Sequence, residues 1–391
     1  MSEYGEWEAK VYTFYEFFAG GGMARAGLGN DWKCLFANDF DHKKAEVYRE
    51  NWGESELKIG DVSTLSVRDL PGVADLAWAS FPCQDLSLAG GGAGLKGERS
   101  GTFRPFWNLM KGLIGDNRSP KVIVLENVCG ALTSHGGKDF ATLCCSLVDG
   151  GYSVGAVVID AAHFVPQSRP RLFVIGTKDG IEIPKNLLGQ APMTPWHPPV
   201  LLRAFHTLPV AAREQWLWWD FPTPQPRKKG LGSIIESSID APSWFSDAET
   251  KRLLDMMTPL NRGKVTKAMR YGKRVVGSVY KRTRPGADGS KHQRAEIRFD
   301  DISGCLRTPS GGSSRQLIVI IEGNNIKVRL ISARETARLM GLDDAYMLPE
   351  NYNEAYHLTG DGVVVPAVSH LATHLLEPLI GASVRHIEEA A

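Results

Sequence analysis

The sequence has little cysteine, and what it has is scattered: Cys34, Cys83, Cys129, Cys144, Cys145 and Cys305 form no CxxC pair and meet no histidine run. That spacing suggests neither a zinc site nor a disulfide framework and fits a reducing cytosol. No stretch approaches the roughly 18 apolar residues of a membrane span. The opening MSEYGEWEAK has no apolar h-region, so neither secretion nor membrane insertion is expected. Internal repeats are lacking too. Net charge is also scarce, at +1, but the small sum hides segregation: Arg262 to Arg298 holds twelve Lys or Arg against Asp288 and Glu296, whereas the first third is balanced to acidic. With 43% hydrophobic and 23% charged residues the chain has the composition of a folded protein. Its 391 residues exceed the roughly 250–300 at which one core stops growing, so two domains are expected.

Over the first 180 residues, VYTFYEFF, CLFAND, ADLAWASF, KVIVLEN, YSVGAVVID and RPRLFVIGT read as strands separated by amphipathic stretches. This rhythm predicts a doubly wound, mostly parallel α/β sheet of Rossmann-like type. From about Pro184 the texture turns to Pro, Trp and basic residues, so residues 184–328 are expected to form a smaller second domain. QLIVIIEG reads as a strand, SARETARLMGL as a helix in a hinge over 329–356, and Gly362 to Pro378 as a last amphipathic helix. That helix would return to a first domain made of 1–183 and 357–391.

FYEFFAGGGMARAGL sets a strand, then Gly20, Gly21 and Gly22, then a helix, as loops that bring backbone close to a ligand do. The spacing G-x-G-x-x-R departs from the dinucleotide fingerprint. Asp39, about 20 residues on, is placed to accept from ribose hydroxyls, and Asp61 to face an adenine. A tight structural turn with solvent-facing acids would read the same way.

ADLAWASFPCQDLSLAGGGAGLKGERSG ends a strand at Pro82 and Cys83 and enters a loop with six glycines between Gly90 and Gly101. A cysteine at a strand's carboxyl end beside such a loop is a candidate nucleophile; alone, it is more often a small buried hydrophobe. The next strand ends at Glu126-Asn127-Val128, which puts a carboxylate at the same sheet edge.

Taken in order, FAGGGM, FPCQDLS, ENV, QSRPRLFVIG and GDGVVVPAV resemble the motifs of DNA (cytosine-5)-methyltransferases from one end of the chain to the other. The resemblance implies a thiolate at Cys83 that adds to C6 of a flipped-out cytosine, and Glu126 acting at N3, its carboxyl held protonated by burial. Asn127 orders that turn, and Arg169 and Arg171 favour the thiolate and meet the base's O2. It further implies S-adenosylmethionine held by Phe18, Ala19, Gly20, Gly22, Asp39, Phe40, Asp61, Pro82, Phe103 and Asp361. Two positions depart from the family pattern: Gly360-Asp361-Gly362 replaces Gly-Asn-Ser or Gly-Asn-Ala, and Phe103 replaces a more usual Leu. No side chain stands out as the base that removes the C5 proton; a bound water would serve.

The partner implied is duplex DNA, met by Gln84 and Ser87 near the nucleophile and by the basic run. The run offers Arg270, Lys273, Arg274, Lys281, Arg282, Arg284 and Arg294, with Lys264, Lys267, Lys291, Tyr271 and Tyr280 beside them. Trp196, Trp216, Trp218, Trp219 and Trp244 read as packing residues, and Arg307 and Thr308 as the core of a structural motif. A cytoplasmic, nucleoid-associated monomer is expected, with a restriction endonuclease as functional companion. Three rivals are weighed. A tRNA cytosine-5 methyltransferase shares the chemistry, a nicotinamide oxidoreductase leaves the Cys83 and Glu126 pairing unexplained, and a non-catalytic DNA-binding relative would not need Cys83, Glu126 and Arg169 together.

Overall fold

The computed structural model describes residues 11–81, 102–236, 242–285, 289–308 and 315–382. They divide into two compact units, the first made of 1–159, 170–223 and 367–391 and the second of 160–169 and 224–366.

The first unit is built on a seven-stranded sheet. Its strands are β1 (Tyr12–Phe17), β2 (Trp32–Asp39), β3 (Leu57–Ile59), β4 (Leu76–Ala79), β5 (Val122–Val128), β6 (Tyr152–Asp160) and β7 (Pro170–Lys178), in the order β3-β2-β1-β4-β5-β7-β6. β1 to β5 pair in parallel, and β7 runs antiparallel against β5. Leu76 to Ala79 and Val122 to Leu125 are fully buried, because helices cover both sheet faces and each side chain needs an apolar neighbour. The helices are α1 (Met23–Leu28), α2 (His42–Trp52), α3 (Phe103–Gly115), α4 (Lys138–Asp149), α5 (Pro199–His206) and α6 (Val210–Glu214). α2 starts where Asp41 accepts from Lys43 N at 2.9 Å and stops at Gly53, whose φ of 81° few other residues tolerate. Phe103, Phe106, Trp107, Met110 and Leu113 recur at helical spacing along α3 and bury one face in the core.

The Pro- and Trp-rich stretch expected to open a second domain at Pro184 packs in the first unit as far as Thr223. Val158 N donates to Trp196 O at 2.8 Å, Val154 N donates to Gln215 O at 2.9 Å, and Trp196 lies stacked on Phe221. Gly155 permits this approach: a Cβ there would fall 2.3 Å from Leu217 O. Trp196 and Trp219 are fully buried, whereas Trp244 belongs to the second unit and is exposed.

The second unit carries a four-stranded antiparallel sheet in the order β11-β10-β8-β9. Its strands are β8 (Val275–Pro285), β9 (Lys291–Arg298), β10 (Leu317–Glu322) and β11 (Asn325–Leu330). Leu253 of α7 (Asp247–Asp255) and Val265 and Ala268 of α8 (Pro259–Arg270) pack with Val279, Ala295 and Ile297 on one face. α9 (Ala333–Leu339) and α10 (Tyr352–Asp361) follow. The last helix, α11 (Val365–Leu371), starts three residues later than its sequence suggests and continues through a π-turn at Ala372–Leu376. The stretch Tyr352–Ala382 has the length and apolarity of a membrane span, which the apolar runs of the sequence did not foreshadow. Gly362 to Val364 interrupt it, and Tyr356, Leu358, Val368, Leu371, Leu375 and Leu379 are buried inside the protein.

Candidate active site and nucleic-acid surface

At the carboxyl end of β1, Phe18, Gly20 and Gly22 have φ of 58°, 57° and 77°, so the chain turns sharply. Three side chains hold the turn. Asp39, at the end of β2, accepts from Gly20 N and Asp41 N, each at 2.8 Å, and Trp52 Nε1 donates to Gly21 O at 3.0 Å. Glu16 accepts from Arg25 N at 3.3 Å. Arg25 donates to the Tyr48 hydroxyl at 2.9 Å and lies over the Trp52 ring. Burial holds the Asp39 carboxyl above the usual range. Gly20 faces open space where a Cβ would meet nothing within 4 Å, while a Cβ on Gly22 would strike Trp52 Nε1 at 2.3 Å. Phe40, beside Asp39, leaves its ring 65% exposed, an unusual position for a large apolar side chain unless a flat partner covers it. Asp61 caps the turn after β3 by accepting from Ser63 N at 2.7 Å, which lowers its pKa. Phe103 is packed between Phe81 and Trp107 in the core. Sequence reasoning missed Glu16 and Trp52: the first showed as an acid inside an apolar strand, whereas nothing in the sequence marked the second.

Pro82, Cys83, Gln84 and Ser87 lie outside the described residues. What is described leads up to them. The strand pair β4 and β5 keeps Ala79 beside Leu125, so Phe81 and Glu126 leave the sheet at the same edge. Asn127 Nδ2 donates to Phe81 O at 3.4 Å and its Oδ1 accepts from Val128 N at 2.9 Å, so the amide ties the two strand ends together. Because β7 runs antiparallel to β5, Arg171 stands opposite Val128, and its Nε lies 3.3 Å from Glu126 Oε1 with both side chains largely buried.

The two arginines of QSRPR separate. Arg171 reaches Glu126, whereas the Arg169 guanidinium belongs to the second unit and donates to backbone carbonyls of Leu306, Gly360 and Gly362 at 2.7 to 2.8 Å. Gln167 reinforces that junction, accepting from Leu306 N at 2.9 Å and donating to Leu339 O at 2.8 Å. Arg169 is thus a clamp in this structure, since a guanidinium already donating to three carbonyls has few N–H groups left for a base. Asp361 accepts from the Thr308 hydroxyl in the same unit.

The basic run is divided by its sheet. β8 and β9 continue past β10, so the stretch from Tyr280 to Pro285 pairs with β9 alone and forms a two-stranded arm. Arg282 stands opposite Arg294 and Arg284 opposite His292 on one face. Glu296 on that face pairs with Arg282 at 3.3 Å and Arg284 at 2.7 Å. Lys281 turns to the other face, the side of Val279 and the covering helices. Lys267, Arg270, Lys273 and Arg274 lie at the far end of β8, about 33 Å from the arm's tip at roughly 3.3 Å per residue. Tyr271 is exposed among them. Tyr280, expected to contact DNA, is instead buried: it lies on the face of Arg282 and Glu296, but there Gly304 packs against its ring and its hydroxyl is shared by Cys305 O and Gln316 Oε1.

The family model for the C-5 cytosine-specific DNA methylase matches residues 12–377. The chain belongs to that family. Among curated proteins it is 26% identical to the type II methyltransferase M.BsuFI of Bacillus subtilis, over 96% of this chain and 75% of that one. It is 25% identical to M.HaeII of Haemophilus aegyptius, over 95% and 94%. Among solved structures the fold is shared with the S. pombe Dnmt2 methyltransferase at a TM-score of 0.56 and 16% identity, covering 94% of this chain and 98% of that one. A putative DNA modification methyltransferase of an E. coli prophage gives the same TM-score at 15% identity, covering 96% and 100%. The protein is therefore a DNA cytosine methyltransferase of the α/β class.

Proposed function

We propose that the enzyme methylates C5 of a cytosine turned out of a specific duplex sequence, through a covalent bond between Cys83 and C6. The observation that carries this reading is the edge where Asn127 joins Phe81 to β5 and Arg171 meets Glu126, one residue before Pro82 and Cys83. A thiolate adding at C6 makes C5 nucleophilic, and Glu126 at N3 with Arg171 at O2 offsets the charge that addition places on the ring. C5 then takes the methyl group, the C5 proton leaves to a base or water, and the C6–S bond breaks to return the thiolate.

The glycine turn fits S-adenosylmethionine: open space beside Gly20, a buried carboxyl at Asp39 for ribose hydroxyls, and the exposed Phe40 ring for a purine. When bound, that cofactor supplies the electrophilic methyl group. Phe18, Ala19 and Gly22 shape the pocket, with Asp61, Pro82 and Phe103 as its further members. On the DNA, Gln84 and Ser87 act beside the flipped base, and the arm's Arg282, Arg284 and Arg294 meet the duplex. The relatives' type II naming supports a companion endonuclease, and an enzyme acting on duplex DNA would work in the cytosol by the nucleoid.

The test is a duplex with 5-fluorocytosine at the target, incubated with S-adenosylmethionine. A covalent adduct resistant to denaturation is expected, absent in Cys83→Ser, which retains binding of DNA and cofactor. Undiminished turnover by that variant would overturn the assignment, and tRNA methylated in preference to duplex DNA would favour the RNA alternative.

A further inference from the structure

Under the glycine turn lies a carboxyl that the reaction above leaves unused. Glu16 is the penultimate residue of β1 and is 1% exposed. Its Oε1 accepts from Arg25 N at 3.3 Å, and its Oε2 is sealed from solvent with no hydrogen-bond partner among the described residues. The start of α1 has no other side-chain cap, its N-cap being Gly22. Glu16 therefore fastens the far side of the turn whose near side is held by Asp39 and Trp52.

We propose that Glu16 is a positioning residue of the cofactor turn that gives up a proton when a cationic methyl donor binds there. The inference rests on reading that turn as the S-adenosylmethionine site. An ionised carboxylate with one oxygen unserved is costly in apolar surroundings, so the free protein keeps the proton; burial pushes Glu16 up to about 8. The ionisable groups facing it are Arg25 from α1, Asp39 and Cys34 from β2 and Tyr48 from α2, and its β4 neighbour Trp78 brings no charge. Arg25 is the one cation among these, and its guanidinium is engaged by the Tyr48 hydroxyl and by Glu56 at 3.6 Å. A sulfonium arriving at the turn adds the positive charge that ionised Glu16 lacks. The proton leaves to solvent, and the resulting anion holds Arg25 N by a stronger, charge-assisted bond. The thioether product has lost the sulfonium charge and draws out less of the proton, so the same carboxyl favours donor over product as pH rises.

Calorimetry tests this with S-adenosylmethionine and S-adenosylhomocysteine, in buffers of different ionisation enthalpy at pH 7 and as affinity profiles from pH 6 to 9. On the order of one proton should be released per donor bound and clearly less per product, and donor affinity should rise by up to about tenfold per pH unit before levelling near pH 8. Glu16→Gln keeps the shape and removes the titration, so the rise attributable to Glu16 should vanish together with the matching proton release. Identical profiles for the variant and the natural protein, or equal release with both ligands, would overturn the proposal. Should the variant not fold, the comparison of donor with product in the natural protein decides alone. Absence of binding at every pH would bring down the cofactor assignment and this proposal with it; binding unaffected in its pH profile would bring down the proposal alone.

Discussion

Arg171 and Glu126 lie on facing strands, 3.3 Å apart, with both side chains largely withdrawn from water. Arg171→Ala is expected to lower single-turnover methylation by about 10²- to 10⁴-fold, the range typical when an acid–base or charge-stabilising group is removed, with cofactor affinity changed little. Glu16 yields a separate prediction for stability. Its folded pKa, about 8, lies above its ordinary 4.5, so between these values the folded protein holds more protons than the unfolded chain. Stability present below pH 4.5 is therefore lost as pH rises towards 8, by on the order of a few kcal/mol. Urea unfolding of Glu16→Gln should show a flatter dependence over that window; an unchanged slope would contradict it. At this scale the sequence was informative where residue type implies chemistry, as at Asp39 and Glu126. It was silent on Arg169 against Arg171, because two arginines separated by one proline differ only in which way the chain turns, and that is set by Leu306, Gly360 and Gly362 far along it.

The strands of the first sheet were legible as apolar runs because burial on both faces leaves no polar alternation to confuse them. β3, three residues long, showed only through Asp61 at its end, and nothing local announced that β7 inserts antiparallel between β5 and β6. The basic run misled for a related reason: a strand's two faces separate only once register is known, and register put Lys281 on the face of Ala295 and Arg282 on that of Glu296, while Tyr280 was buried by the distant Cys305 and Gln316. If the arm meets DNA, Arg284→Ala should reduce the slope of log affinity against log salt by about 0.9 for each phosphate it no longer neutralises, and Lys281→Ala, on the other face, by much less. Fluorescence anisotropy over a salt series would check both. The α9 terminus carries a different load. Glu335 completes a capping box with Ser332 and forms a fully buried pair with Arg329 at 2.7 Å, both side chains being inaccessible to water. Glu335→Ala leaves a cation stranded in the interior and should destabilise the second unit by about 3–5 kcal/mol, measurable by chemical denaturation.

For the molecule as a whole, composition forecast two bodies but placed their junction too early. Proline and tryptophan marked the end of the βα rhythm at Pro184, yet that stretch still lies against β6, where Gly155 makes room for it. The exposed and irregular segment after Thr223, with Arg227, Lys228 and Lys229, is the better candidate for a junction. Brief trypsin digestion should cut there first, and a dominant early cut at Lys185 would argue otherwise.

The second unit borrows ten residues, 160–169, from a part of the chain made long before the rest of it. Anyone wishing to transplant the recognition portion by excising 224–366 would leave behind Arg169 and Gln167, and with them the donors that close the carbonyls of Leu306, Gly360, Gly362 and Leu339. Such an excised fragment should collapse or aggregate unless the missing decapeptide is stitched back on. If the arm reads the duplex, exchanging the arm between relatives would spare these contacts where exchanging 224–366 would break them.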